Sequence, residues 1–149
     1  MDRGQAVERV AVELLPKASL LTRLLLVQGG TPALTRGESS LLAAVEDGPR
    51  RITELAADLA FAQPTVTQLV ARLADRGLLS RGRDPRDGRV VRVEITDAGR
   101  DALGTLRAAY QAVLRAKLSD RDDAQIRALA EAVGVLDDLI AALRTEGPT

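Results

Sequence analysis

The chain has 149 residues, 46% of them apolar, and its 21 basic and 21 acidic residues leave no formal net charge. It contains neither cysteine nor histidine, which removes disulfides, iron–sulfur clusters, thiol redox sensing, the commonest metal ligand and the commonest general base. No clustered carboxylate motif of the EF-hand kind stands in for them, so neither a metal nor another cofactor is expected.

Met1-Asp2-Arg3-Gly4 leads into charged sequence, which argues against a secretory signal. The longest apolar stretch, Leu20 to Val27, carries Arg23 and is far too short to span a bilayer. The length suits one domain, and the expected location is the cytoplasm.

Residues 5–28 read as a helix, with Val7, Val10, Leu14, Leu21 and Leu25 near helical spacing and Pro16 predicting a kink or a break. Gly29-Gly30-Thr31-Pro32 reads as a loop. Thr35-Arg36-Gly37-Glu38 fits a capping box, opening a helix through Leu41, Leu42 and Val45 that stops near Asp47-Gly48-Pro49. A short helix capped by Thr53 follows, with Leu55, Ala56 and Leu59 inward.

After a tight connection at Ala60–Ala62, another helix opens at Gln63-Pro64, where a first-turn proline costs no intrahelical bond. Val66, Leu69, Val70 and Leu73 line one side of it, and Gly77 ends it. Leu78–Gly82 reads as a strand, and Val91, Val93 and Ile95 alternate with Arg92 and Glu94 in the period of a half-buried second strand. Between them, Arg83-Asp84-Pro85-Arg86-Asp87-Gly88 makes a charged hairpin tip. Thr96 caps a long helix with Leu103, Leu106, Tyr110, Val113 and Leu114 inward. Ser119-Asp120 restarts a final helix whose Ile126, Leu129, Val133, Leu136, Ile140 and Leu143 form a heptad seam, and Thr145–Thr149 reads as a frayed tail. Such a seam suits either a simple core or an intersubunit coil.

Charge is not evenly spread. From Gln63 to Arg92 seven arginines stand against three aspartates, a local excess of four positive charges balanced by the rest of the chain. A basic patch on an acidic remainder attracts phosphates while limiting nonspecific adhesion. The order of short helix, turn, second helix and arginine-tipped hairpin is that of a winged helix-turn-helix. The predicted fold is mostly α with a small β-hairpin wing, flanked by N- and C-terminal helices.

In that arrangement the second helix fits the major groove and its short outward side chains keep the backbone close to base edges. Gln63 and Pro64 open it. Gln68 can pair with adenine N6 and N7, Arg72 can reach phosphate or guanine, and Thr65 and Thr67 can meet phosphates or a thymine methyl. On the wing, Arg83, Arg86 and Arg89 suit a narrow minor groove, and Asp87 is placed to hold the Arg89 guanidinium through a two-point contact.

The stretches Arg51-Ile52-Thr53-Glu54-Leu55-Ala56, Pro64-Thr65-Val66-Thr67-Gln68-Leu69-Val70, Leu73-Ala74-Asp75-Arg76-Gly77-Leu78-Leu79, Asp84-Pro85-Arg86-Asp87-Gly88-Arg89 and Glu94-Ile95-Thr96-Asp97-Ala98-Gly99 together resemble the MarR family of transcriptional regulators. The resemblance implies an obligate homodimer with interleaved terminal helices (1–34 and 97–149), and a winged helix-turn-helix (35–96) in each copy on a palindromic operator. It also implies that Asp87 and Arg89 match the wing-tip pair, with Arg89 in the minor groove. The chain departs from the family where Ala62 and Pro64 replace frequent serines, Gln68 replaces a frequent arginine and Gly88 another. The first departure weakens the usual helix cap, the second shifts base preference, and the third removes a wing charge.

Family members commonly respond to small anionic aromatics or, through cysteine, to oxidants; the second route is closed here. No ligand motif can be read, although Arg23 and Arg50-Arg51 could serve an anion, and one Phe and one Tyr leave an aliphatic pocket as the expectation. Constitutive binding without an effector is also compatible with the sequence. The competing readings are a winged-helix protein-interaction module without DNA binding, and a carboxylate enzyme. No paired acid–base spacing or phosphate loop supports the enzyme, so a DNA-binding regulator that acts as a repressor is the expected function.

Overall fold

Asp2 sets the first helix. Its carboxylate accepts from the Gln5 amide (2.9 Å) and the Gln5 side chain accepts from the Asp2 amide (3.3 Å), a reciprocal cap that starts the helix at Arg3, ahead of the expected residue 5. In the computed structural model, which describes residues 2–28 and 33–145, helix α1 runs Arg3–Gln28 as one element with Pro16 inside it. Of the kink or break expected at Pro16, the break does not occur. The loop expected at Gly29–Pro32 and the tail beyond Thr145 lie outside the described residues. The chain divides into two compact units, Met1–Gln111 and Ala112–Thr149.

In the first unit, α2 (Arg36–Ala44) opens on the expected capping box. The Glu38 amide donates to Thr35 Oγ1 (3.3 Å) and the Thr35 amide to Glu38 Oε2 (2.8 Å). Then comes an unexpected two-residue strand, β1 (Arg50–Arg51), which passes directly into α3 (Ile52–Leu59). Thr53 therefore does not cap α3 but lies in its first turn. The cap position is Arg51, whose amide is satisfied by Glu54 Oε2 (3.0 Å). Helix α3 closes at Ala60, held left-handed at φ 52°, with the Phe61 amide donating to the Ala56 carbonyl (3.1 Å).

Helix α4 (Gln63–Asp75) carries Pro64 in its first turn and buries Val66, Leu69, Val70 and Leu73, as expected. Its end is a glycine turn: Gly77 has φ 71° and the Leu78 amide reaches back to the Leu73 carbonyl (2.9 Å). Strands β2 (Leu79–Arg83) and β3 (Val91–Ile95) form the hairpin, with Leu79 opposite Ile95 and Arg83 opposite Val91. β1 pairs antiparallel on the far side of β3, giving the order β1-β3-β2. Val93 and Ile95 are buried, but Val91 is 41% exposed. The predicted alternation fails there because Val91 sits at the wing end of the hairpin.

Helix α5 (Asp97–Leu118) begins where Thr96 Oγ1 accepts from the Gly99 amide (3.1 Å) and donates to the Gly77 carbonyl (2.6 Å). Gly99 is required by packing, since a β-carbon there would lie 2.2 Å from the Leu78 carbonyl oxygen. Leu103 and Leu106 of α5 join Leu34, Leu41, Leu42, Val45, Leu55, the α4 stripe, Leu79, Val93 and Ile95 in one core. Arg107 fixes the end of α2 to α5 through two bonds to the Glu46 carboxylate (2.8 and 2.9 Å), and Arg100 adds a bond to the Glu46 carbonyl (2.9 Å).

In the second unit, α6 (Asp123–Thr145) is capped by Asp122, whose carboxylate accepts from the Gln125 amide (2.8 Å). The predicted start at Ser119-Asp120 is early because the Ser119 hydroxyl is used by the preceding helix, donating to the Ala116 carbonyl (2.8 Å). α1 and α6 each contain no buried residue. No described helix is long and apolar enough to cross a membrane.

Candidate nucleic-acid interface

The apolar stripe of α4 faces the core, so its opposite face is turned outward by helical geometry. Gln63, Pro64, Thr65, Thr67, Gln68 and Arg72 are all exposed. The Thr67 hydroxyl donates to the Gln63 carbonyl (3.0 Å), which ties it to the helix and leaves its methyl as the outward group. Ala62, at the cap position, makes no side-chain cap, consistent with the missing serine.

At the C-terminal end of α4, Arg76 clamps the helix. It donates to Glu38 Oε2 (3.3 Å) and to the Ala33 carbonyl (2.6 Å). Glu38 is buried, and Thr35 and Arg76 supply the donors a buried carboxylate needs. The outward face of α4 is thus set from both sides, by the apolar stripe and by this clamp.

The wing carries its arginines in different states. Arg83 donates to the Gly88 carbonyl (2.9 Å) and closes the tip. Arg86 and Arg89 are exposed, the Arg89 side chain to 96%. Asp87 accepts from the Arg89 amide (3.0 Å), while the Arg89 Nε stays 3.9 Å from the same oxygen. The two-point contact expected between Asp87 and Arg89 is therefore absent. Asp87 shapes the turn through the backbone and leaves the guanidinium free to extend.

Asp84 is the carboxylate that sequence reasoning left out of the site. Its side chain is 3% exposed and accepts from the Arg86 amide (2.8 Å) and from Arg51 Nε (2.9 Å), with Arg92 Nε at 3.9 Å. The Arg86 amide and the Arg51 guanidinium hold its carboxyl below the usual range, against the opposing effect of burial. An aspartate two residues before an arginine amide in a turn was a legible local signal. The Arg51 bond spans 33 residues and had none.

Arg50 bonds to Glu54 (3.3 Å) and to Asp58, so Arg50 and Arg51 both pair with carboxylates of the chain. Arg23 is exposed on α1. No group of three or more potential metal ligands occurs among the described residues.

Comparison with known proteins agrees with this geometry. Residues 34–90 match the MarR family. The winged-helix region of this chain is similar to that family. A curated relative, the uncharacterized HTH-type transcriptional regulator YpoP of Bacillus subtilis, is 28% identical over 105 residues, covering 70% of this chain and 74% of that one. Among solved structures, a MarR family protein from Bacillus stearothermophilus superposes with a TM-score of 0.75 at 22% identity, over 95% of this chain and 99% of that one. The PcaV transcriptional regulator of Streptomyces coelicolor, solved in complex with its natural ligand, superposes with a TM-score of 0.59 at 21% identity, over 84% and 89%. The chain accordingly has the winged-helix fold, and its winged-helix region is similar to transcriptional regulators of the MarR type.

Proposed function

We propose that two copies of this chain form a homodimer that represses transcription by binding a palindromic operator, in the cytoplasm. The observation that carries the reading is the pairing, on one sheet-and-helix frame, of an exposed polar α4 face with a wing whose Arg89 is 96% exposed. α4 enters the major groove, where Gln68 reads adenine, Arg72 reaches guanine or phosphate, and Thr65 and Thr67 meet backbone or thymine methyl groups, with Gln63 and Pro64 at the entry point. Arg89 enters the minor groove, Arg86 approaches the phosphates beside it, and Arg83 and Asp87 shape the loop.

Residues 35–96 act as the DNA-binding region, and 1–34 with 97–149 as the dimerisation region. The support is the bare apolar stripe on α1 and on α6, where Val7, Val10, Leu21, Ile126, Leu129 and Ile140 lie exposed. Dimerisation would set two recognition helices about 34 Å apart, one turn of the duplex. A small ligand releases the DNA in this reading. PcaV is solved with its ligand, and in this chain the Tyr110 hydroxyl of α5 is buried with no hydrogen-bond partner among the described residues, so a polar ligand group would satisfy it.

The test is a salt-titrated mobility shift on genomic DNA flanking the protein's own gene. A steep fall of affinity with salt is expected from the phosphate contacts. Arg89→Ala should cost about 1–3 kcal/mol of binding, chiefly on sites with a narrow A·T minor groove. A wild-type protein that holds no duplex at low ionic strength overturns the reading in favour of a protein-interaction module.

A further inference from the structure

We infer that Asp84, rather than Asp87, is the residue that positions the wing for DNA. This rests on the DNA-binding reading above and extends it to a residue outside the expected contact set. The two carboxylates are three positions apart in the chain and differ in kind. The Asp87 side chain is 52% exposed and touches only its own tip, whereas the Asp84 side chain is 3% exposed and reaches across to another element.

Cross-strand pairing explains why a carboxylate is needed there. In the β1–β3 ladder Arg51 stands directly opposite Arg92, and like charges directly opposed destabilise a sheet. Asp84 Oδ2 lies between them, 2.9 Å from Arg51 Nε and 3.9 Å from Arg92 Nε, the latter buried without a hydrogen bond. Its other oxygen accepts from the Arg86 amide (2.8 Å), at the start of the loop that carries Arg89. Arg51 is the cap residue of α3, the first helix of the helix-turn-helix. A single buried anion thus joins the base of the wing to the reading head. Swinging the wing away would strand that anion from its donors, which a buried carboxylate does not tolerate.

The experiment is a double-mutant cycle between Asp84→Asn and Arg89→Ala. Affinity is measured on duplexes that the wild-type protein selects from a library with a randomised centre. Asparagine keeps the size and the acceptor for the Arg86 amide and removes the charge. We expect Asp84→Asn to weaken binding about tenfold and the double variant to bind no worse than Arg89→Ala alone. Asp87→Asn should have a smaller effect than Asp84→Asn. In the free protein, amide exchange over residues 86–90 should quicken in Asp84→Asn while that of α4 stays unchanged. Arg51→Gln, which leaves Asp84 bonded to the Arg86 amide, should reproduce both results and serves if Asp84→Asn folds poorly. Additive losses in the cycle, or wing exchange unchanged from wild type, overturn the inference. A wild-type protein that selects no duplex overturns the DNA-binding reading instead, and the exchange measurement, made without DNA, then decides the wing anchor.

Discussion

Helices α4 and α6 carry apolar stripes of the same helical spacing, yet only one of them is covered. In α4, Val66, Leu69, Val70 and Leu73 are at most 4% exposed; in α6, Ile126, Leu129, Val133, Ile140 and Leu143 are 38–63% exposed. The difference does not lie in the stripes. It lies in what the chain brings against them: α2, α3 and the hairpin close over α4, and their side chains fill its grooves. Each large aliphatic group left in water forgoes about 1.5–3 kcal/mol relative to burial. A row of them on one face is the kind of surface the proposed homodimer would cover. The same sequence signal therefore has two physical outcomes, a core seam in α4 and, in the proposed homodimer, an assembly seam in α6.

The largest expected effect comes from breaking the uncovered stripe in the proposed dimer. Leu129→Glu with Ile140→Glu should convert the protein to single chains by sedimentation and abolish operator binding, since each half-site alone holds too few contacts. The winged unit should stay folded, because neither residue contributes to its core. A double variant that remains dimeric would place the interface elsewhere.

Leu73→Ala strikes the covered stripe. Leu73 is fully buried, and truncation should cost about 2–5 kcal/mol through lost transfer energy and the cavity left behind. This loss should appear in denaturant unfolding as a shift of midpoint with no change in oligomeric state, the converse of the α6 variant.

Acid acts on the winged unit through its carboxylates. Hydrogen bonds from the Arg107 guanidinium lower the carboxyl of Glu46, the Arg51 amide that of Glu54, and the Arg86 amide that of Asp84. A group whose folded pKa lies below its unfolded value contributes stability that is present above the unfolded pKa and lost as pH falls through the folded one. Thermal unfolding should therefore be flat near neutrality and fall to lower temperature below about pH 4, the ordinary carboxylate range. Asp84→Asn should start lower and show a shallower fall. An identical pH profile in the two proteins would remove Asp84 from the acid response.

Most of what sequence alone disclosed was local. The Thr35–Glu38 box, the α4 stripe, the Gly77 turn and the Thr96 cap each depend on residues within one or two turns of each other, so spacing carries the information. What escaped depends on partners far along the chain. β1 is two arginines long, too short for any alternation, and exists because β3 passes beside it. Once β1 delivers the chain into α3, the cap shifts from Thr53 to Arg51, so one unseen strand displaced a second reading. Asp84 and Asp87 look alike in sequence; burial and the distant Arg51 partner separate the first from the second. Arg83, Arg86 and Arg89 were likewise indistinguishable until Arg83 was found closing the tip.

The smallest expected effect concerns the turn between the two helices of the reading head. Ala60 is the only described non-glycine residue at positive φ, at 52°, where the β-carbon crowds the following carbonyl and costs about 1–2 kcal/mol. Glycine would relieve that cost but would add about 0.4–1 kcal/mol of backbone freedom to the unfolded chain. The two nearly cancel, and Ala60→Gly should stabilise the winged unit by about 0.5 kcal/mol in chemical unfolding. Its value lies in the second readout. If Ala60 holds α3 and α4 at a fixed angle, glycine should leave stability intact while weakening operator affinity, because a looser turn must be ordered on binding. Unchanged affinity in the more stable variant would mean that the apolar stripe and the Arg76 clamp already fix α4 without help from the turn.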